Sequence, residues 1–210
     1  MPIPDAIHEF SVTLETPDGT QTFHPAAVET PTGLLLIDVG LPGQADALKS
    51  ELGDAGFDFG DVRGILLTHQ DGDHAGCLET VVERVGDAAG VAPTVYAHVA
   101  AAPYVDGRAK PIKSEGDRYP PVAVDVELTE GVIFRTEAGP MRVIETPGHT
   151  PGHVSLYVPE SKFLLAGDAL TVGDDGLAGP SRQHTAEMAE AAESVGTLAE
   201  LSVESVLCYH

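Results

Sequence analysis

One stretch constrains this chain more than any other: Leu66-Leu67-Thr68-His69-Gln70-Asp71-Gly72-Asp73-His74-Ala75-Gly76. An apolar strand, Val62 to Leu67, runs straight into four candidate metal ligands within six residues. Residues two apart on an extended chain point the same way, so His69 and Asp71 can share one ion. Gly72 permits a sharp turn, after which Asp73 and His74, at the start of a helix, diverge toward a second ion. Neutral imidazole and carboxylate oxygen suit zinc and its first-row neighbours. Each residue taken singly also fits a polar turn in which Asp73 caps the following helix. That reading is weak for all four together.

The arrangement recurs. Met141 to Glu145 leads into Thr146-Pro147-Gly148-His149, Phe163 to Ala166 into Gly167-Asp168, and Val203 to Cys208 into Tyr209-His210. Open α/β folds place their sites where strand ends share a rim, and core packing does not require His or Asp at each such end. Further apolar runs predict strands at Ile7–Leu14, Gln21–Val28 and Gly33–Ile37, and at 94–97, 131–135, 153–158 and 162–166. Ala45, Leu48, Leu52 and Ala55 follow helical spacing, as do Leu78, Val81, Val82 and Val85, and a third helix is expected over about 185–200. Residues 99–121, with Pro103, Pro111, Pro120 and Pro121, read as irregular. Strands at both ends with helices between predict a layered α/β domain spanning 1–210, two sheets face to face with helices outside.

Composition narrows the partners. Eleven Lys and Arg against 33 Asp and Glu give a net charge of −22, which repels phosphate backbones and anionic lipid. No apolar run approaches the ~20 residues of a membrane helix. Nucleic acid and membrane are therefore not expected partners. With four Lys, the surface resembles those of proteins from high-salt cytoplasm. Met1-Pro2-Ile3-Pro4-Asp5 shows no secretory pattern, and Cys77 and Cys208 make no disulfide framework. A reducing, cytoplasmic setting is expected; the oligomeric state is not readable.

Thr68-His69-x-Asp71-x-Asp73-His74 resembles the His-x-His-x-Asp-His signature of the metallo-β-lactamase superfamily. The likeness continues through Leu36-Ile37-Asp38-x-Gly40, Thr146-Pro147-Gly148-His149-Thr150-Pro151-Gly152-His153 and Leu165-Ala166-Gly167-Asp168, nearly the whole chain, and is nearest in flavour to glyoxalase-II-like and lactonase-like hydrolases. It implies an αββα sandwich carrying two divalent metal ions, zinc favoured over iron or manganese. Carried over by position, one ion takes His69, Asp71 and His149, the other Asp73, His74 and His210, and Asp168 bridges them. Asp38 is implied as a residue that orders the ligand loops. The implied reaction is hydrolysis of an ester, thioester or lactone in a small molecule by a metal-bridging hydroxide, with Asp73 holding the hydroxide in line.

Two departures matter. Asp71 stands where the family usually has a second His. Against two divalent ions, three carboxylates and a hydroxide leave the cluster formally neutral, one unit less positive than with His, and harder ligands shift preference toward iron or manganese. Terminal residues fray unless tied down, and His210 stands last in this sequence. A carboxylate at 71 also resembles flavodiiron proteins, and sulfur dioxygenases share the fold; non-haem iron redox chemistry is the alternative activity, and a non-catalytic metal-binding domain the third reading. Arg108, Lys110, Lys113 and Arg118 gather four of the eleven basic residues, a window that suits an anionic substrate group. His8, His24 and His98 read as ordinary paired histidines, His153 as support for the His149 loop, and His184 as a residue that can face the pocket.

Overall fold

In the computed structural model, which describes residues 3–17, 19–110, 112–113, 119–173 and 176–210, two β-sheets pack face to face. The first contains β1 (Ile7–Glu9), β4 (Ala26–Thr30), β5 (Gly33–Ile37), β6 (Val62–Leu66), β7 (Thr94–His98) and β8 (Val126–Leu128), in the order β1-β4-β5-β6-β7-β8. The second contains β9 (Ile133–Thr136), β10 (Gly139–Glu145), β11 (Val154–Val158), β12 (Phe163–Gly167) and β15 (Ser205–Cys208), in the order β15-β12-β11-β10-β9. Two hairpins stand apart: β2 (Val12–Thr16) with β3 (Gly19–Phe23), and β13 (Thr171–Gly173) with β14 (Gly176–Ala178).

The helices are α1 (Ala45–Asp54), α2 (Gly72–Ala75), α3 (Leu78–Ala89), α4 (Ala102–Val105) and α5 (Met188–Ala199). Helix α1 buries Ala45, Leu48 and Leu52, and α3 buries Leu78, Val81 and Val85, a single stripe on each. Those stripes meet Leu34, Leu36, Ile65 and Val95 on the outer face of the first sheet. Between the sheets lie Val28, Leu35, Ile37 and Leu66 against Met141, Val143, Leu156 and Leu165. Outside the second sheet, Leu198 of α5 packs on Ile144, Tyr157 and Leu164. The layers are therefore helix, sheet, sheet, helix: an αββα sandwich. Strands β11 and β12 are buried along their whole length, as strands covered on both faces must be.

The structure corrects several expectations. The runs Ile7–Leu14 and Gln21–Val28 each break into two strands, with corners at Phe10-Ser11 and His24-Pro25 where Phe10 N–H donates to Pro25 O at 2.9 Å. Beyond the corners the chain leaves the first sheet as the β2–β3 hairpin. The segment 99–121 contains α4, and β8 and the β13–β14 hairpin were not anticipated. At Gly72 the chain winds into α2, whose first turn carries Asp73 and His74. Pro111 and Arg118 lie outside the described residues.

Candidate metal centre

The loops after β5, β6, β10, β12 and β15 converge on one rim of the sandwich. Strand β5 runs parallel to β6, and β12 parallel to β15; the sheets are tied at this rim by Val154 N–H donating to Thr68 O at 2.9 Å. Three triads assemble there, each with its ligand atoms within 4.8 Å of one another: His69, Asp71 and His149; His69, His74 and Asp168; Asp73, His74 and His210. In the first, Asp71 Oδ2 lies 3.3 Å from His69 Nε2 and 3.2 Å from His149 Nε2. In the third, Asp73 Oδ2 lies 3.1 Å from His210 Nε2 and 3.9 Å from His74 Nε2. Asp168 stands between them, 3.3 Å from both His74 Nε2 and His149 Nε2 and 3.6 Å from His210 Nε2.

Ligand orientation is set from behind. The Asp38 carboxylate accepts from Thr68 N–H at 2.8 Å, Thr68 Oγ1–H at 2.7 Å and His74 Nδ1–H at 2.8 Å. With Nδ1–H committed to Asp38, it is Nε2 that would give up its proton and offer its lone pair to a metal ion at the rim, the arrangement a metal-binding histidine needs. Tyr209 stacks on the His74 ring at 3.7 Å between centroids and donates to Asp73 O at 2.6 Å. Asp38 takes a left-handed φ of 60°, which Asp tolerates better than most residues.

His153 has a different task. Its Nε2 accepts from Asp168 N–H at 2.9 Å, so its proton sits on Nδ1, which donates to Thr146 Oγ1 at 2.8 Å. Thr146 continues to Ser155 Oγ at 3.0 Å, and Ser155 donates to Ala166 O at 2.9 Å. That relay holds the Asp168 loop as well as the His149 loop. Gly148 lets the latter pass helix α5 closely: its φ is +116°, and a Cβ there would lie 2.1 Å from Ala191 N.

The electrostatics follow from dense, buried, opposite charge. Burial opposes ionisation of Asp73, but the charge of His74 and the hydrogen bond from His210 outweigh it and bring the carboxyl down to about 2. Asp71 and Asp168 are likewise held well below the carboxylate range despite burial, Asp71 by the adjoining His149 and His69 and by Lys113, and Asp168 by His74. Burial lowers the His74 pKa, yet Asp38, Asp168 and Asp73 together raise it well above normal. His153, burial dominating, is pushed well down and stays neutral. Cys208 is pushed up to about 12 by burial and by Asp168, which removes it as a nucleophile near neutral pH.

The donor set fits a metal. His69 Nε2, His74 Nε2 and Asp168 Oδ1 are buried without a hydrogen-bond partner among the described residues, although opposite charges lie close by. Buried polar atoms are normally satisfied, and neutral imidazole nitrogens with carboxylate oxygens are the usual ligands of divalent first-row ions.

The rim opens into a cavity of about 720 Å³. Leu14, Phe23 and Leu41 give it an apolar wall, while Asp71, Asp73, His149, Asp168 and His210 form its floor. Of the basic window, Lys113 lines the cavity, its Nζ 2.6 Å from Asp71 Oδ2 and 2.7 Å from His149 Nε2. Arg108 does not line it, being paired with Asp106 at 2.6 Å and Glu127 at 3.1 Å, and exposed Lys110 is not among the lining residues either. His184 lines the cavity. His8, His24 and His98 pair with Glu29, Glu9 and Glu145. Sequence reasoning missed Thr68 and Tyr209 as organising residues; each adjoins a ligand at a strand end, the one signal available.

The profile of the Metallo-beta-lactamase superfamily matches residues 26–210. A probable metallo-hydrolase of Bacillus subtilis, YflN, is 30% identical over 214 aligned residues, covering 86% of this chain and 76% of that protein. A hydroxyacylglutathione hydrolase of Cereibacter sphaeroides is 36% identical over 106 residues, half of this chain and 33% of that enzyme. Among solved structures, a metallo-β-lactamase family protein of Thermus thermophilus superposes with a TM-score of 0.73 at 24% identity, covering 98% of this chain and 73% of that one. The chain belongs to the metallo-β-lactamase superfamily.

Proposed function

We propose that the protein is a metal-dependent hydrolase that cleaves a thioester, ester or lactone in a small, anionic molecule. The observation that carries this is the sharing of Asp168 between the His69–Asp71–His149 and Asp73–His74–His210 triads on the floor of a cavity. Those triads would hold two divalent ions, zinc, iron or manganese, with Asp71 and its hard oxygen moving the preference away from zinc alone. When bound, such ions supply Lewis acidity and a nucleophile at neutral pH.

The chain's own groups do the rest. Asp73, ionised at neutral pH and exposed to the cavity, accepts a hydrogen bond from the attacking water and keeps it aligned. Asp38 and Tyr209 fix His74 from behind and from above. Leu14, Phe23 and Leu41 exclude water from the acyl side. A thioester is supported by the names of relatives, hydroxyacylglutathione hydrolase and atrochrysone carboxyl ACP thioesterase.

Turnover of a thioester and lactone panel by metal-loaded protein tests this. Asp73→Asn should lower turnover at least ~100-fold, the usual cost of removing one preorganised polar group from a reacting centre, with the melting curve retained. Undiminished turnover in Asp73→Asn, or no turnover by wild type across the panel, would refute the reading.

A further inference from the structure

We propose that the Lys113 ammonium is a resident cation of the first triad, competing with a metal ion for Asp71 and His149, so that the two triads load unequally. The inference rests on the reading of these triads as metal sites and adds a residue that governs one of them.

Asp71 Oδ2 is the shared vertex of the first triad, facing His69 Nε2 at 3.3 Å and His149 Nε2 at 3.2 Å. Lys113 Nζ sits on that same atom at 2.6 Å and reaches His149 Nε2 at 2.7 Å. An ammonium donates to both atoms, and a metal ion needs the same lone pairs. The two cations therefore exclude each other. The lysine side chain is not splayed into solvent: it is 26% exposed, against 15% for Asp71. Further along the chain, the Tyr119 hydroxyl donates to Gln70 O at 2.8 Å, within the ligand loop itself.

The second triad has no counterpart to Lys113 among the described residues. Among the described residues, the ion pairs of Asp73 are with His74 and His210, and neither Lys nor Arg lines the cavity on that side. Metal entering the second triad displaces no lysine or arginine among the described residues. Metal entering the first must break a charge-assisted hydrogen bond to a carboxylate, which is among the stronger polar contacts in proteins. Once displaced, the same ammonium stands at the cavity wall, where it can meet an anionic substrate group.

The test is calorimetric titration of the chelator-stripped full chain with Zn²⁺ alone at one fixed pH, comparing wild type with Lys113→Met. Both proteins also carry His210→Ala in a parallel pair, which weakens the second triad and isolates the first. Lys113→Met should bind Zn²⁺ at the first triad about 10- to 100-fold more tightly, the loss of one charge-assisted hydrogen bond, while the second step is unchanged. Stripped Lys113→Met should melt below stripped wild type, because Asp71 has lost its counter-charge, and the zinc-saturated proteins should melt together. Lys113→Gln provides the same comparison should the Met variant fold poorly. Equal affinities for both steps, or an equal loss of melting temperature in stripped and saturated proteins, would overturn the proposal. Absent thioester turnover with this pattern intact would instead sink the hydrolase reading and leave the role of Lys113 standing.

Discussion

Replacing Asp38 by Asn tests how the second triad is aimed. Asn keeps the shape of the side chain and tolerates the left-handed φ of 60°, so backbone strain does not confound the result. With its Oδ1 toward Thr68 N–H, its NH₂ faces Thr68 Oγ1 and His74 Nδ1, which approach the native carboxylate at 2.7 and 2.8 Å. His74 Nδ1 must then accept rather than donate, and the ring proton moves to Nε2, the atom 3.3 Å from Asp168. A protonated Nε2 cannot ligate. Removing such a supporting partner usually costs about 10–100-fold in metal affinity, or roughly 1.4–2.7 kcal/mol at the second triad. The first triad, whose His69, Asp71 and His149 do not touch Asp38, should bind as before. Folding should weaken too, by about 1.5–3 kcal/mol for the lost charge-assisted bond in a buried site. Zinc titration with guanidinium denaturation of the stripped protein measures both. Wild-type affinity at both triads in Asp38→Asn would show that His74 is oriented by something else.

Two further outcomes are expected. His153 is neutral in the fold and its pKa is depressed, so between its ordinary and its folded pKa the unfolded chain binds more protons and stability falls as pH falls. This contributes at most about 1.4 kcal/mol per pH unit below ~6.5; denaturation of stripped wild type and His153→Gln at neutral and mildly acidic pH should show the variant losing less, and parallel losses would refute it. Gly148→Ala would place a Cβ 2.1 Å from Ala191 N at a φ of +116°. It should cost about 1–3 kcal/mol, seen as a fall in melting temperature of roughly 2–4 °C for each kcal/mol, with weaker zinc binding at the first triad; an unchanged melting curve would show that α5 simply moves aside.

The candidate ligands were legible because each follows an apolar run that ends abruptly, as Leu66–Leu67 does before His69 and Phe163–Ala166 before Asp168. Alternation finds such strands wherever they pair. It did not disclose where they bend. Ile7, Phe10 and Val12 are all buried, and the change of parity between Ile7 and Phe10 is the trace of the corner that sends β2 toward the cavity. Val126 and Leu128 alternate with Asp125 and Glu127, a short signal masked by the neighbouring Pro120-Pro121. Lys113 lies in a stretch without periodicity. Its local charge pattern suggested a substrate contact, and only the tertiary approach of its segment to Asp71 and His149 places it among the ligands.

Each outer triad draws partners from both halves of the sandwich: His69 and Asp71 follow β6 while His149 follows β10, and Asp73 and His74 face His210 beyond β15. An ion in either position would rivet the halves together at this edge, whereas the interior of the sandwich is held by apolar contact. Metal should then protect against thermal unfolding in proportion to the logarithm of its free concentration above the dissociation constant. Chelation should leave a folded but looser protein, whose earliest amide exchange appears in the segments that bear the ligands.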